Sequence, residues 1–175
     1  MNRLLILCGL ASLALLPMMV VAQVLGGDPS FPGVNEVRWD MGADEIQSLC
    51  NRRWSAISST DSTIVYGSSF FGAEATTKIQ FDVNSRKPRM IDIAFEEPTS
   101  VMRDTLVNHF TLAAGRAPLI TTKEKSLLIF TIKFEMAIWR IGRETVSVWT
   151  TTRGSSILGL NLTLSEGNMA RKQNP

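Results

Sequence analysis

The chain has 175 residues, and its 18 Lys and Arg against 16 Asp and Glu give a formal charge of +2. That balance excludes a general electrostatic affinity for nucleic acid or anionic lipid, which needs a large basic excess. The length suits one domain with its own core, and two cysteines, Cys8 and Cys50, are too few for a disulfide framework.

Met1-Asn2-Arg3 precedes an apolar run ending at Ala22, and Gln23 opens a polar stretch rich in Gly and Pro. This order reads as a cleavable secretory signal over residues 1–22, cut between Ala22 and Gln23. The competing reading is an uncleaved anchor, because the run is just long enough to span a bilayer. Only Arg3 marks the cytoplasmic side, however, and no basic cluster follows Ala22. A lipid anchor on Cys8 is disfavoured by Leu7 directly before it and by its place inside the run. Cleavage would remove Arg3, leaving a formal charge of about +1. The mature protein is then expected to be periplasmic or secreted, with no stable membrane span and no partner for Cys50 within the chain.

Residues 23–36 hold Gly26-Gly27-Asp28-Pro29 and Pro32-Gly33, which predict a flexible leader, with the domain spanning residues 37–164. Val37-Arg38-Trp39 reads as an extended entry. Asp44 and Glu45 then place negative charge in the first turn of a helix, Ile46, Leu49 and Cys50 follow at helical spacing, and Arg52-Arg53 close it. Cys50 falls on the apolar side, which predicts a buried, reduced thiol.

Period-two runs come next. Residues 63–71 are aromatic and β-branched; Ile79, Phe81 and Val83 alternate with Lys78, Gln80 and Asp82; and Ile91, Ile93 and Phe95 alternate with Asp92 and Glu96. Between the last two, Arg86-Lys87-Pro88-Arg89 reads as a solvated turn, the alternative being a contact with lipid headgroups or polyanions. Pro98-Thr99-Ser100 opens a second helix whose stripe is Met102, Leu106, Phe110 and Ala113, and Gly115 and Pro118 stop it. Three more strands are expected near residues 126–140, 144–152 and 156–164, with turns at Gly142 and Gly154 and a polar tail at 165–175.

The predicted fold class is therefore α+β. Two α-β-β-β units in tandem, about residues 37–97 and 98–164, would form one antiparallel sheet with both helices on one face and the other face free.

The hairpin at residues 140–144 admits two registers. A two-residue loop at Gly142-Arg143 pairs Ile141 with Glu144 and sets Trp139 opposite Val146, on the same face. The apolar pattern instead puts Phe130, Ile132, Phe134, Met136 and Ile138 in the core with Val146 and Val148, which needs a one-residue shift or bulge. Burying five large side chains outweighs a local turn preference, so the second register is expected. It sends Trp139, Trp149, Lys133 and Glu135 to the free face, where tryptophan among charged neighbours has the composition of a binding hot spot. The competing reading is that these indoles cover a sheet edge or lie under the leader or tail.

Chemistry has little to work with. The one histidine, His109, sits on the second helix; no serine lies in a Gly-x-Ser-x-Gly elbow, and no Cys or His cluster has metal-ligand spacing. A dyad of Cys50 and His109 is conceivable because both helices should cover the same sheet face. The favoured expectation is a non-catalytic module that binds another envelope or secreted protein, without metal, cofactor or nucleic acid. The alternative is an exported hydrolase or thiol enzyme using His109.

Three segments carry a family resemblance: Trp39-Asp40-Met41-Gly42-Ala43-Asp44-Glu45-Ile46, the amphipathic second helix with its ending from Phe110 to Gly115 and then Pro118, and the Trp139 to Val148 hairpin. Together they resemble small bacterial envelope proteins of β-lactamase-inhibitor-like fold, an architecture similar also to small lipoproteins of outer-membrane assembly. The chain departs from the family pattern at Asp40 and Gly42 and lacks the lipoproteins' lipid-attachment cysteine. The resemblance implies protein binding across an open sheet face, with no cofactor and no chemistry.

Overall fold

A computed structural model describes Phe31 and residues 33–166; the expected signal peptide, its Ala22–Gln23 junction and most of the polar tail lie outside the described residues. A 3-10 turn (Val34–Glu36) leads into helix α1 (Ala43–Cys50) and strands β1 (Ser55–Thr60), β2 (Thr63–Phe70), β3 (Ala73–Phe81) and β4 (Pro88–Phe95). Helix α2 (Ser100–Ala114) is followed by β5 (Leu119–Leu127), β6 (Phe130–Ile141), β7 (Glu144–Arg153) and β8 (Ser156–Glu166).

The eight strands form one antiparallel sheet in the order β1-β2-β3-β4-β8-β7-β6-β5. The α+β class matches the expectation, but each helix precedes four strands rather than three. The unexpected strands, β1 and β5, are the two sheet edges, and every residue in them is exposed. A strand with no buried face has no reason to alternate apolar with polar residues, so its period-two signal is missing. Lys123, Glu124 and Lys125 give β5 the charges that discourage pairing with another chain's edge.

Both helices begin and end for local reasons. Asp44 and Glu45 lie in the first turn of α1, where the helix dipole favours them, and Ile46 and Cys50 are buried beneath it. In α2 the Thr99 hydroxyl accepts from the Met102 amide at 3.2 Å, and Gly115 closes the helix at φ 63°. Met102, Leu106 and Phe110 turn inward, but Ala113 is exposed, so the stripe is shorter than the sequence suggests. The core they enter includes Ile64, Tyr66, Ile79, Ile91, Ile93, Val146, Val148 and Leu162 from the same face of the sheet. Toward the end of β3 the expected pattern breaks. The strand stops at Phe81; the Asp82 carboxylate accepts from the Asn84 and Ser85 amides, and Val83 is left exposed in the turn.

The leader reading needs correction at Phe31, which is completely buried. Ring contacts run from Tyr66 to Trp54, Phe70, Phe31, Phe110 and Trp139 with centroid separations of 5.7, 5.7, 5.7, 6.3 and 5.8 Å. Phe31 thus joins the side chains of the first half to those of the second. Gly33 follows at φ 92°, where a Cβ would stand 2.8 Å from the Trp54 ring, so only glycine brings the chain this close.

Candidate functional site: the uncovered sheet face

The β6–β7 hairpin turns through Gly142-Arg143 with Gly142 at φ 62°, and Ile141 pairs with Glu144 and Trp139 with Val146. The expected one-residue shift is therefore absent, and Trp139 does not face outward. It is 1% exposed, its ring against Phe110 of α2. The pattern misled because the second half of β6 is apolar on both faces. Ala137 and Trp139 are buried under α2, with Ile141 packed against the same core, while Ile132, Phe134, Met136 and Ile138 occupy the opposite face. Counting large side chains cannot tell which face is inside when both faces carry them.

That register also moves the two charges. Lys133 and Glu135 share the helix-bearing face with Trp139, where they pair at 2.9 Å; the pairing with Glu135 raises the lysine's pKa, and Arg103 of α2 stands near enough to oppose that rise. Of the four residues expected to meet a partner, only Trp149 emerges on the uncovered face. Its indole is 42% exposed and donates to the Ser147 hydroxyl at 3.1 Å, which lays the ring over the neighbouring strand position.

Strand register defines what surrounds it. Trp149 lies opposite Met136, which lies opposite Thr121 on β5; Leu119 stands opposite Ile138, and Phe134 opposite Thr151 and Lys123. Phe134 is 41% exposed and Leu119 is exposed as well. No described helix covers this face of the half-sheet, since α2 packs on the opposite one. The other half of the same face is polar, with the Asp92 carboxylate accepting from Thr163 Oγ1 at 2.8 Å and from Gln80 Nε2 at 3.1 Å. The uncovered face is thus divided into an apolar half over β5, β6 and β7 and a hydrogen-bonded half over β3, β4 and β8.

The residues considered for chemistry lie elsewhere. Cys50 is fully buried, and burial, helped by the negative charge of Glu36, pushes its thiol up to about 12. A nucleophilic cysteine needs the opposite shift. His109 is half-buried, its ring 5.8 Å from Phe31 and 4.9 Å from Phe110. Among the described residues, no group of three or more His, Cys, Asp or Glu side chains could hold a metal ion. We expect a thiol reagent to leave Cys50 untouched in native protein and to label it on unfolding; fast native labelling would contradict its burial.

Two further features escaped the sequence reading. Glu144 is buried at the start of β7, where it accepts from Trp39 Nε1 at 3.0 Å through one carboxylate oxygen while the other has no hydrogen-bond partner. Burial pushes its pKa up to about 7; the Trp39 hydrogen bond opposes the shift, and Glu166, its cross-strand neighbour, adds to it. Beside Trp39 opens a cleft lined by Asp40, Asp82 and Glu166 together with Lys87 and Arg89 of the basic run. Its mixed signs give no strong field. Arg86 turns away from it, donating to the Asp61 carbonyl at 3.1 Å, consistent with a solvated turn.

No described helix is long and apolar enough to cross a membrane. Comparison of the chain with protein-family models, curated proteins and solved structures gives no match.

Proposed function

We propose that the protein is an exported, non-catalytic protein-binding module, acting as an inhibitor or an envelope scaffold, and that the apolar half of its uncovered sheet face meets the partner. The observation that carries this reading is the half-exposed pair Phe134 and Trp149 on a surface that no described element covers. Contiguous exposed apolar area of this kind marks interaction sites, and tryptophan is the commonest anchor in them. The order of Arg3, apolar run and Ala22 supports export. The succession of a helix and four strands, twice, supports reading the domain as one unit used in tandem, in keeping with the resemblance to β-lactamase-inhibitor-like envelope proteins. The thiol of Cys50, buried and held protonated, speaks against the alternative of a thiol enzyme.

The test is photo-crosslinking in the native envelope. A photoreactive analogue at Phe134 should capture a discrete partner, whereas the same analogue at Glu124, on the opposite face of β5, should not. Trp149→Ala should cut capture by about 30-fold, the loss expected of a hot spot worth roughly 2 kcal/mol, with the fold intact. Equal capture from both faces, or capture indifferent to Trp149→Ala, would remove the basis of the reading.

A further inference from the structure

The last cross-strand pair between β6 and β7 is Ile132 with Arg153, yet the β5–β6 hairpin continues past it. Beyond that point Ser126 to Thr131 form a two-stranded tip with no neighbouring strand on the β6 side and β5 at the sheet edge. Two further cross-strand pairs, Ser126 with Thr131 and Leu127 with Phe130, carry the turn roughly 7 Å beyond the last pair shared with β7. Its turn is Leu128-Ile129, exposed to 106% and 89%, with Leu127 also exposed and Phe130 beside them. Turn chemistry does not ask for these residues. Two-residue hairpin loops favour Gly, Asn or Asp at left-handed positions, and neither Leu128 nor Ile129 has a positive φ. Nor does packing ask for them, since nothing described covers the tip.

Around its base stand cations on both faces. Lys123 and Lys125 lie on the uncovered face of β5, and Arg153 sits over the Phe130 ring at 5.3 Å. On the other face Lys133 is paired with Glu135, and Glu124 stands opposite it on β5. Aliphatic side chains at a convex end, with lysines set back from it, match the depth profile of a bilayer interface: hydrocarbon about 5–10 Å in, anionic headgroups above it.

We propose that this hairpin tip inserts Leu128 and Ile129 into the surface of an anionic bilayer, with Lys123, Lys125 and Arg153 against the headgroups. A convex aliphatic ridge suits a fluid surface better than a protein groove, and the chain's near-neutral overall charge confines the attraction to this end. The tip lies beyond the proposed partner face, and the two adjoin at Lys123, which stands opposite Phe134.

The test uses the protein as exported, with vesicles of equal parts phosphatidylcholine and phosphatidylglycerol and vesicles of phosphatidylcholine alone. In protein beginning at Gln23, which lacks Cys8, the burial of Cys50 makes Ile129→Cys a single reactive site for an environment-sensitive fluorophore, and Ile57→Cys on the opposite sheet edge serves as the control. Wild-type protein should sediment with the mixed vesicles and more weakly with the neutral ones. The label at position 129 should shift to the blue and that at 57 should not, and Leu128→Ser with Ile129→Ser should lower partitioning by at least about tenfold while thermal unfolding stays cooperative. Absence of sedimentation, equal shifts at both labels, or partitioning unchanged in the double variant overturns the proposal. A shift at position 129 that requires added envelope protein instead of lipid also overturns it, and assigns the tip to a protein.

Discussion

Phe31→Ala is expected to destabilise the protein by about 3–5 kcal/mol, the range for emptying a fully enclosed phenylalanine site. The ring touches Phe70, Phe71, His109 and Phe110, so truncation opens a void where the two halves meet, and the surrounding strands cannot close it without breaking register. A loss of that size is a large share of the stability of any small domain. Urea denaturation would show it as a lower midpoint with an unchanged slope. A shift below roughly 1 kcal/mol would mean that the segment before Val34 is the loose leader its composition suggests, and that Phe31 is not part of the core.

The second large effect is tied to pH. Glu144 holds its proton more tightly in the folded chain, with a pKa raised from 4.5 to about 7. For a carboxyl raised on folding, the native state binds more protons, so its contribution favours folding below about pH 4.5 and is lost as the pH rises through 7. A shift of that size corresponds to roughly 3 kcal/mol between the two limits. Glu144→Gln keeps an oxygen for Trp39 Nε1 and cannot ionise, so the variant should match wild type near pH 4 and exceed it by up to about 3 kcal/mol at pH 8. Taking the difference between the two proteins cancels groups that titrate in both, including Asp82, whose carboxyl is held low by its hydrogen bonds to Ser85. A difference independent of pH would show that Glu144 ionises normally.

The parts of this molecule that were legible in its sequence are those whose burial is one-sided. Met102, Leu106 and Phe110 recur at helical spacing because one face of α2 meets the sheet, and Thr99 and Gly115 mark its ends. Ile91, Ile93 and Phe95 alternate because one face of β4 is buried and the other is not. Where burial is on neither face, as in β1 and β5, the strand left no period to read. Where apolar residues fill both faces, as in β6, the period was legible but its sense was not, and the Gly142-Arg143 turn was the better guide to register. Trp149 on the uncovered face was anticipated, but from a shifted register; Trp139, Lys133 and Glu135 went to the other side with it. Glu144 passed unnoticed because a lone glutamate at a strand start signals nothing until Trp39, distant in sequence, closes over it.

The pairing of β4 with β8 at the middle of the sheet bears on how the chain folds as well as on what it becomes. These two strands each close one half, and the Asp92–Thr163 hydrogen bond between them links positions 71 residues apart. Until β8 has formed, β4 has β3 on one side and an open edge on the other, with the apolar side chains of Ile91, Ile93 and Phe95 along it. Closure therefore waits on the last strand to be made, and contacts of such long sequence separation are slow to form. During that interval the unfinished sheet is open to pairing with other chains, so the same seam that unites the folded domain is its point of greatest exposure to aggregation.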